Sequence, residues 1–190
     1  ERIPQTLPVL EVGPGLGHFT RFLLNRGLSL TCVELDSGFA KFLESHLENE
    51  IQLIHGDFLK LDFETLPEPR YTVAANIPYS LSQEILLKLL RNGSRIENFY
   101  LLVQKEFAEK LCASPDSPQY NRISVLAQAF TRPTILFTLP GSAFYPAPKV
   151  ESAFVEFQTQ NRPYCQVFEK RITALFSARR KILSTGLKAL

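Results

Sequence analysis

The sequence contains no methionine and only three cysteines among its 190 residues. Because even an initiating methionine is absent, we expect it to be part of a longer translation product. The cysteines Cys32, Cys112 and Cys165 lie far apart and form no Cys-x-x-Cys pair. The sequence therefore predicts no metal site and no dithiol redox centre. Such cysteine usage is typical of a reducing compartment, and we expect a cytoplasmic protein.

Long apolar runs are also missing. No stretch approaches the roughly 18 residues that a membrane span requires. The first residues, Glu1–Pro4, lack the apolar core of a secretory signal. A hydrophobic fraction of 45% with 21% charged residues is ordinary for a globular chain and excludes a disordered tail or a fibrous protein. We expect a globular monomer with no membrane partner.

Charge is distributed unevenly along the chain. Residues 1–75 carry 6 basic and 11 acidic side chains, residues 76–160 carry 8 and 7, and residues 161–190 carry 7 and 1. The net charges of −5, +1 and +6 add to the overall +2. A basic end on a near-neutral protein predicts a polyanion partner that contacts one region only. The contiguous Arg179, Arg180 and Lys181 are the candidate phosphate-binding residues; the alternative is that they only solvate a helix.

Apolar runs of strand length alternate with helical patterns over the first 160 residues. Strands are predicted near 8–12, 30–33, 51–54, 71–75, 99–103, 134–139 and 152–158. Between them we predict helices near 18–26, from a cap at Ser37, from a capping box at Ser80 and Gln83, and near 105–112 and 122–130. This alternation predicts an α/β Rossmann-like parallel sheet with helices on both faces over residues 1–160. Residues 161–190 read as a basic helical segment that begins a small C-terminal domain.

A glycine-rich turn follows the first predicted strand, in Glu11-Val12-Gly13-Pro14-Gly15-Leu16-Gly17. Glycines in such a turn let the backbone approach a ligand closely. A dinucleotide fingerprint would place its third glycine at position 18, which is histidine here. The spacing instead matches the turn that binds S-adenosylmethionine (SAM), which has no pyrophosphate. A dinucleotide-dependent oxidoreductase is therefore the disfavoured alternative.

Two carboxylates follow the next two predicted strands, Glu34 after the second and Asp57 after the third. The two oxygens of Glu34 can accept both hydroxyl protons of a ribose. Asp57 can accept a hydrogen bond from an adenine amino group, while Leu35 and Phe58 enclose the ring. Ligands of parallel sheets bind at the carboxyl ends of the strands, so we predict one cofactor site there.

The fourth predicted strand ends in Asn76-Ile77-Pro78-Tyr79. An exocyclic adenine amine is a poor nucleophile because its lone pair is delocalised into the ring. The Asn76 side-chain oxygen and a backbone carbonyl held by Pro78 can accept from both amino protons and localise that pair. Tyr79 offers a ring face on which a base can stack. The residues therefore predict transfer of the SAM methyl group to an adenine amine.

These motifs together resemble the ribosomal-RNA adenine N6-methyltransferases, and further stretches resemble their KsgA/RsmA branch. The further stretches are Gln104–Ala108, Tyr120–Val125, Phe144–Ala153 and Phe176–Lys181. The resemblance implies a SAM site lined by Gly13, Glu34, Asp57 and Asn76, and the glycine-rich turn adds Gly15 as a cofactor-binding residue. It also implies that Phe144 stacks on the target base opposite Tyr79.

The resemblance implies an enzyme that dimethylates two adjacent adenines near the 3′ end of small-subunit rRNA during subunit biogenesis. Its partner would be the immature small ribosomal subunit. Two alternatives remain: the antibiotic-resistance type, which methylates large-subunit rRNA, and a non-catalytic RNA-binding assembly factor on the same fold. An intact Asn76–Tyr79 motif argues against the non-catalytic alternative.

Overall fold

A computed structural model describes residues 3–4, 6–160 and 162–177 of the chain. The described residues form seven strands: β1 (Val9–Val12), β2 (Leu30–Glu34), β3 (Gln52–His55), β4 (Tyr71–Asn76), β5 (Ile96–Gln104), β6 (Thr131–Leu139) and β7 (Ser152–Thr159). The α-helices are α1 (His18–Leu24), α2 (Ser37–His46), α3 (Ser82–Arg91), α4 (Lys105–Cys112), α5 (Arg122–Phe130) and α6 (Gln166–Ser177). No helix within these residues is long and apolar enough to span a membrane.

The seven strands form one sheet in the order β3-β2-β1-β4-β5-β7-β6. Strands β1 to β5 run parallel, whereas β7 pairs antiparallel with both β5 and β6. The predicted α/β sheet with helices on both faces is confirmed, but the parallel direction expected for its strands does not hold for β7. The connection from β6 to β7 contains no crossover helix, so the chain returns in the opposite direction.

Alternate residues of the central strands face two separate apolar layers, as the two-residue period of a strand requires. Leu10 and Val73 pack in the larger layer with α3, α4 and α5. Val9 and Ala74 face the other side, where they pack with Leu23 of α1. Both faces of the sheet are thus covered near β1 and β4, and this burial keeps the ends of these strands in fixed positions.

Two helices begin at residues other than those predicted. The cap of α2 is Asp36, not Ser37, because the Asp36 carboxylate accepts from the backbone N–H groups of Gly38 and Phe39 at 2.8 and 2.9 Å. The predicted capping box at Ser80 does not form. A 3₁₀ turn occupies Tyr79–Leu81, and α3 starts after it with no side-chain cap. The turn that follows β4 therefore extends further than the sequence pattern indicates.

Helix α6 packs against the main apolar layer through Phe168 and Ile172, and Tyr164 joins them just before the helix. Arg91 of α3 donates to both carboxylate oxygens of Glu169, at 2.9 and 3.1 Å. The proposed division at residue 160 stays a prediction. The basic triplet Arg179–Lys181 lies outside the described residues.

Candidate active site

One cleft of about 620 Å³ lies at the carboxyl ends of β1 to β4. Its volume is within the range of about 300–1,000 Å³ that is common for small-molecule sites. All the residues predicted to bind the cofactor line it: Gly13, Gly15, Glu34, Leu35, Asp57, Phe58 and Asn76. The ends of four neighbouring strands thus bring together residues that are up to 63 positions apart in the sequence.

The glycine-rich turn forms one wall of the cleft and has left-handed backbone at Gly13, Gly15 and Gly17, with φ of 67°, 57° and 74°. A Cβ atom at Gly13 or Gly15 would meet no protein atom within 4 Å. Both residues line the cleft, so a side chain there would occupy space that a ligand can use. At Gly17 the constraint is internal, because a Cβ would come within 3.0 Å of Leu43 Cδ2.

Glu34 forms hydrogen bonds to the backbone on both sides of the cleft. The Gly15 N–H donates to Oε2 and the Asp36 N–H donates to Oε1, each at 2.9 Å. Glu34 is only 6% exposed, so hydrogen bonds from backbone N–H groups, and not from water, stabilise its carboxylate. Each carboxylate oxygen can accept a further hydrogen bond. Glu34 can therefore hold the turn in place and still accept two hydroxyl groups of a ligand.

The opposite wall is formed by Asp57 and two apolar side chains. Asp57 Oδ1 accepts from the Leu59 N–H at 2.9 Å and Oδ2 lies 3.9 Å from Lys60 Nζ, and both oxygens can accept a further hydrogen bond. Phe58 is buried, whereas Leu35 is 64% exposed although it is large and apolar. An exposed leucine in a cleft beside a buried ring is the arrangement expected where a flat ligand covers the leucine.

The cleft is acidic. Glu34, Asp36 and Asp57 line it, and none of its lining residues within the part of the chain that the structure describes is Lys, Arg or His. Such a lining disfavours the pyrophosphate of a dinucleotide and favours a ligand that carries positive charge. No group of three His, Cys, Asp or Glu among the described residues is placed to hold a metal ion.

Glu11 was not predicted as a site residue, yet it lies in β1 immediately before the turn and is 1% exposed. Burial raises the pKa of its carboxyl from 4.5 to about 7, and the nearby charge of Glu34 acts in the same direction. The nearby Thr20 side chain and a hydrogen bond from the Cys32 thiol oppose this shift in part. The available signal was an acidic residue inside an otherwise apolar strand, Val9-Leu10-Glu11-Val12.

The four residues after β4 separate into different environments. The Asn76 side chain is exposed and lines the cleft together with Pro78. Ile77 is buried in the main apolar layer, so it can act only through its backbone. Tyr79 is half-buried, and its hydroxyl lies 2.6 Å from the hydroxyl of Ser152. Asn76 thus lines the cofactor cleft, whereas Tyr79, three residues later in the chain, does not.

Phe144 lies at the end of a 3₁₀ turn, Gly141–Ala143, in the connection between β6 and β7, and is half-buried. The described residues show no ring contact between Phe144 and Tyr79, and neither residue lines the cleft. The role of Phe144 as a second base-stacking residue stays a prediction.

Comparison with known proteins places the chain in a family. The model of the family described as ribosomal RNA adenine dimethylase matches residues 2–190. The chain belongs to this family. A relative named ribosomal RNA small subunit methyltransferase A, from Parabacteroides distasonis, is 38% identical over an alignment of 191 positions. The alignment covers 98% of this chain and 72% of the relative.

Two solved structures resemble the chain over 98% of its length. One is a dimethyladenosine transferase from Plasmodium falciparum, with a TM-score of 0.84, 27% identity and 69% of that chain covered. The other is the 23S rRNA methyltransferase ErmE, with a TM-score of 0.77, 26% identity and 77% of that chain covered. The fold of this family member is therefore that of an rRNA methyltransferase.

Proposed function

We propose that this chain binds SAM in the acidic cleft and methylates the N6 amines of two adjacent adenines near the 3′ end of small-subunit rRNA. The observation that carries the proposal is the position of Asn76. It lies at the end of β4, on the rim of a cleft whose other strand ends supply the glycine-rich turn, Glu34 and Asp57. The family to which the chain belongs acts on adenine in ribosomal RNA, as its description states.

The residues of the cleft fit SAM better than a dinucleotide. In this proposal Glu34 accepts from the ribose hydroxyls, Asp57 accepts from the adenine amine, and Leu35 covers one face of the adenine ring; all three line the cleft. The three acids provide a favourable potential for a sulfonium and an ammonium group, and no basic residue lines the cleft in the part of the chain that the structure describes. When bound, SAM supplies an electrophilic methyl group.

The chain's own contribution to the reaction is to position the target amine. The Asn76 Oδ1 atom and the Ile77 backbone carbonyl accept from the two amino protons, which favours a pyramidal nitrogen with a localised lone pair. Pro78 restricts the backbone between these acceptors and Tyr79. The Tyr79 ring stacks on the base. No strong base is needed before transfer, because the amino proton becomes acidic only after the nitrogen is alkylated. Orientation is therefore the main catalytic effect.

The test is methyl transfer from labelled SAM to isolated small ribosomal subunits that lack the modification, followed by mapping of the labelled base. We expect label on two adjacent adenines with the wild type and none with Asn76→Ala. The melting temperature of the variant should stay near that of the wild type, because the side chain is exposed. Asn25→Ala, at an exposed asparagine that ends α1, is the matched control and should retain transfer.

The same assay separates the alternatives. Label on large-subunit RNA instead would assign the chain to the activity of the ErmE type. SAM binding by calorimetry without transfer to either RNA would contradict the enzymatic proposal. The 38% identity to a relative named ribosomal RNA small subunit methyltransferase A, over 98% of this chain, is the reason for favouring the small subunit.

A further inference from the structure

A short hydrogen bond joins the turn after β4 to the first residue of β7. The hydroxyls of Tyr79 and Ser152 are 2.6 Å apart, although the residues are separated by 73 positions in the sequence. Ser152 is fully buried, whereas Tyr79 is half-buried. The phenol oxygen of the proposed base-stacking residue is therefore already bonded within the protein.

Ser152 occupies a position that the surrounding backbone fixes. It pairs with Gln104 in the register between β5 and β7. The neighbouring Glu151 is held twice by Lys105: the Lys105 N–H donates to the Glu151 carbonyl at 2.9 Å, and Lys105 Nζ lies 2.7 Å from Glu151 Oε2. Because the sheet holds Ser152 rigidly, its hydroxyl is a fixed point toward which Tyr79 must direct its ring.

The connection that carries Phe144 ends at this same serine. Within it, a Cβ atom on Gly141 would collide with the Pro148 carbonyl oxygen, so the chain packs closely on itself there. The Phe144 N–H also donates to the Gly141 carbonyl at 3.1 Å. The connection is thus compact, and it leads directly into Ser152, whose hydroxyl contacts Tyr79.

We infer that Ser152 is a positioning residue for methyl transfer. Its hydroxyl fixes the position of the Tyr79 phenol oxygen, so that the side chain keeps one direction beside the site of the target base. Two rotatable bonds otherwise let a tyrosine ring leave this orientation. The inference rests on the proposed function. It adds that the Tyr79 hydroxyl serves the protein and not the RNA, and that the contribution of Tyr79 to the reaction is its ring.

A double-mutant cycle tests this role. Ser152→Ala and Tyr79→Phe each remove the hydrogen bond, and both leave the aromatic ring in place. Each should lower the rate of transfer at saturating RNA by about 3- to 10-fold, which corresponds to the loss of one hydrogen bond. The double variant should be no slower than either single variant, because the bond is lost only once. SAM affinity should be unchanged in all three, since neither residue lines the cofactor cleft.

Thr159→Val is the matched control. Thr159 lies at the other end of β7 and donates to the Glu97 carbonyl, also at 2.6 Å. This variant loses a comparable hydrogen bond from the same strand, so it should lose stability without losing rate. A rate loss in Thr159→Val as large as in Ser152→Ala would mean that strand stability, and not ring orientation, is being measured.

The outcomes separate a failure of the inference about Ser152 from a failure of the proposed function. Rate losses that multiply in the double variant would overturn the inference, because Tyr79 and Ser152 would then act independently. Unchanged rates in both single variants would overturn it too. Absence of adenine methylation by the wild type would contradict the proposed function and, with it, this inference. Methylation by the wild type with a coupled cycle supports both.

Discussion

Replacement of Glu11 by glutamine should change how the stability of this protein depends on pH. Glu11 is buried in β1 directly before the glycine-rich turn, and burial is the main reason why its pKa is raised to about 7. The Cys32 thiol donates to Glu11 Oε2 at 3.7 Å, a weak contact that does not compensate for the lost hydration. Glutamine has the same shape and keeps a carbonyl acceptor for this thiol, but it cannot ionise.

The sign and size of the effect follow from the two pKa values. The folded carboxyl, with a pKa of about 7, binds its proton more tightly than an unfolded one with the ordinary value of 4.5. Its contribution to the free energy of unfolding is therefore greatest below about pH 4.5 and is lost as the pH rises through about 7. At about 1.36 kcal/mol per pH unit, the full loss is on the order of 3 kcal/mol. Glu11→Gln should not show this loss.

Urea unfolding of both proteins at about pH 5 and about pH 8.5 measures the effect. The stability of Glu11→Gln relative to the wild type should increase by about 2–3 kcal/mol between these two pH values. Other titrating groups contribute to both proteins equally, so the difference isolates Glu11. Glu44→Gln, at an exposed site on α2, should alter the free energy of unfolding by less than about 0.5 kcal/mol at either pH. A relative stability of Glu11→Gln that stays constant across this range would refute the reasoning.

Three further predictions concern the cleft and the RNA surface. Glu34→Ala should weaken SAM binding by on the order of 1–3 kcal/mol in calorimetry, because hydrogen bonds to a charged acceptor are lost; an unchanged affinity would contradict its ligand role. Gly17→Ala should lower the free energy of unfolding by about 1–3 kcal/mol, because φ is 74° and Leu43 lies 3.0 Å from the added carbon. Gly93→Ala is its control and should change the free energy of unfolding less, because the added Cβ would meet no atom within 4 Å apart from its chain neighbours. Replacing Arg179, Arg180 and Lys181 together by Gln should reduce the slope of log RNA affinity against log salt concentration by up to roughly 2 units. SAM affinity should not change. An unchanged slope would show that these residues are only solvated and do not contact RNA phosphates.

The cofactor side of the site could be predicted from the sequence because its residues follow strands directly. Glu34 and Asn76 are the last residues of β2 and β4, so recognising the strands also located the side chains. The parallel order of β1 to β4 then placed them at one edge of the sheet. Local pattern and one topological rule were sufficient for this part.

The substrate side could not be predicted in the same way, because its contacts are long-range. No local pattern indicates that Tyr79 bonds to Ser152, or that β7 runs antiparallel. Serine is a common cap, so the sequence pattern indicates Ser37 as the cap of α2. The adjacent Asp36 takes this role, since its carboxylate reaches two backbone N–H groups. Such choices between neighbouring residues depend on the exact backbone path, which the sequence pattern does not define.

The reversed direction of β7 makes the connection 140–151 an exchangeable part of the enzyme. Leu139 and Ser152 are paired neighbours in the sheet, so the connection leaves and re-enters the scaffold at one place. Its two anchor points are backbone ladders, which are largely independent of the residues between them. Substitutions or insertions within the connection can therefore leave the cofactor cleft and the sheet as they are. In evolutionary terms, one antiparallel strand allows this connection to diverge separately from the cofactor cleft.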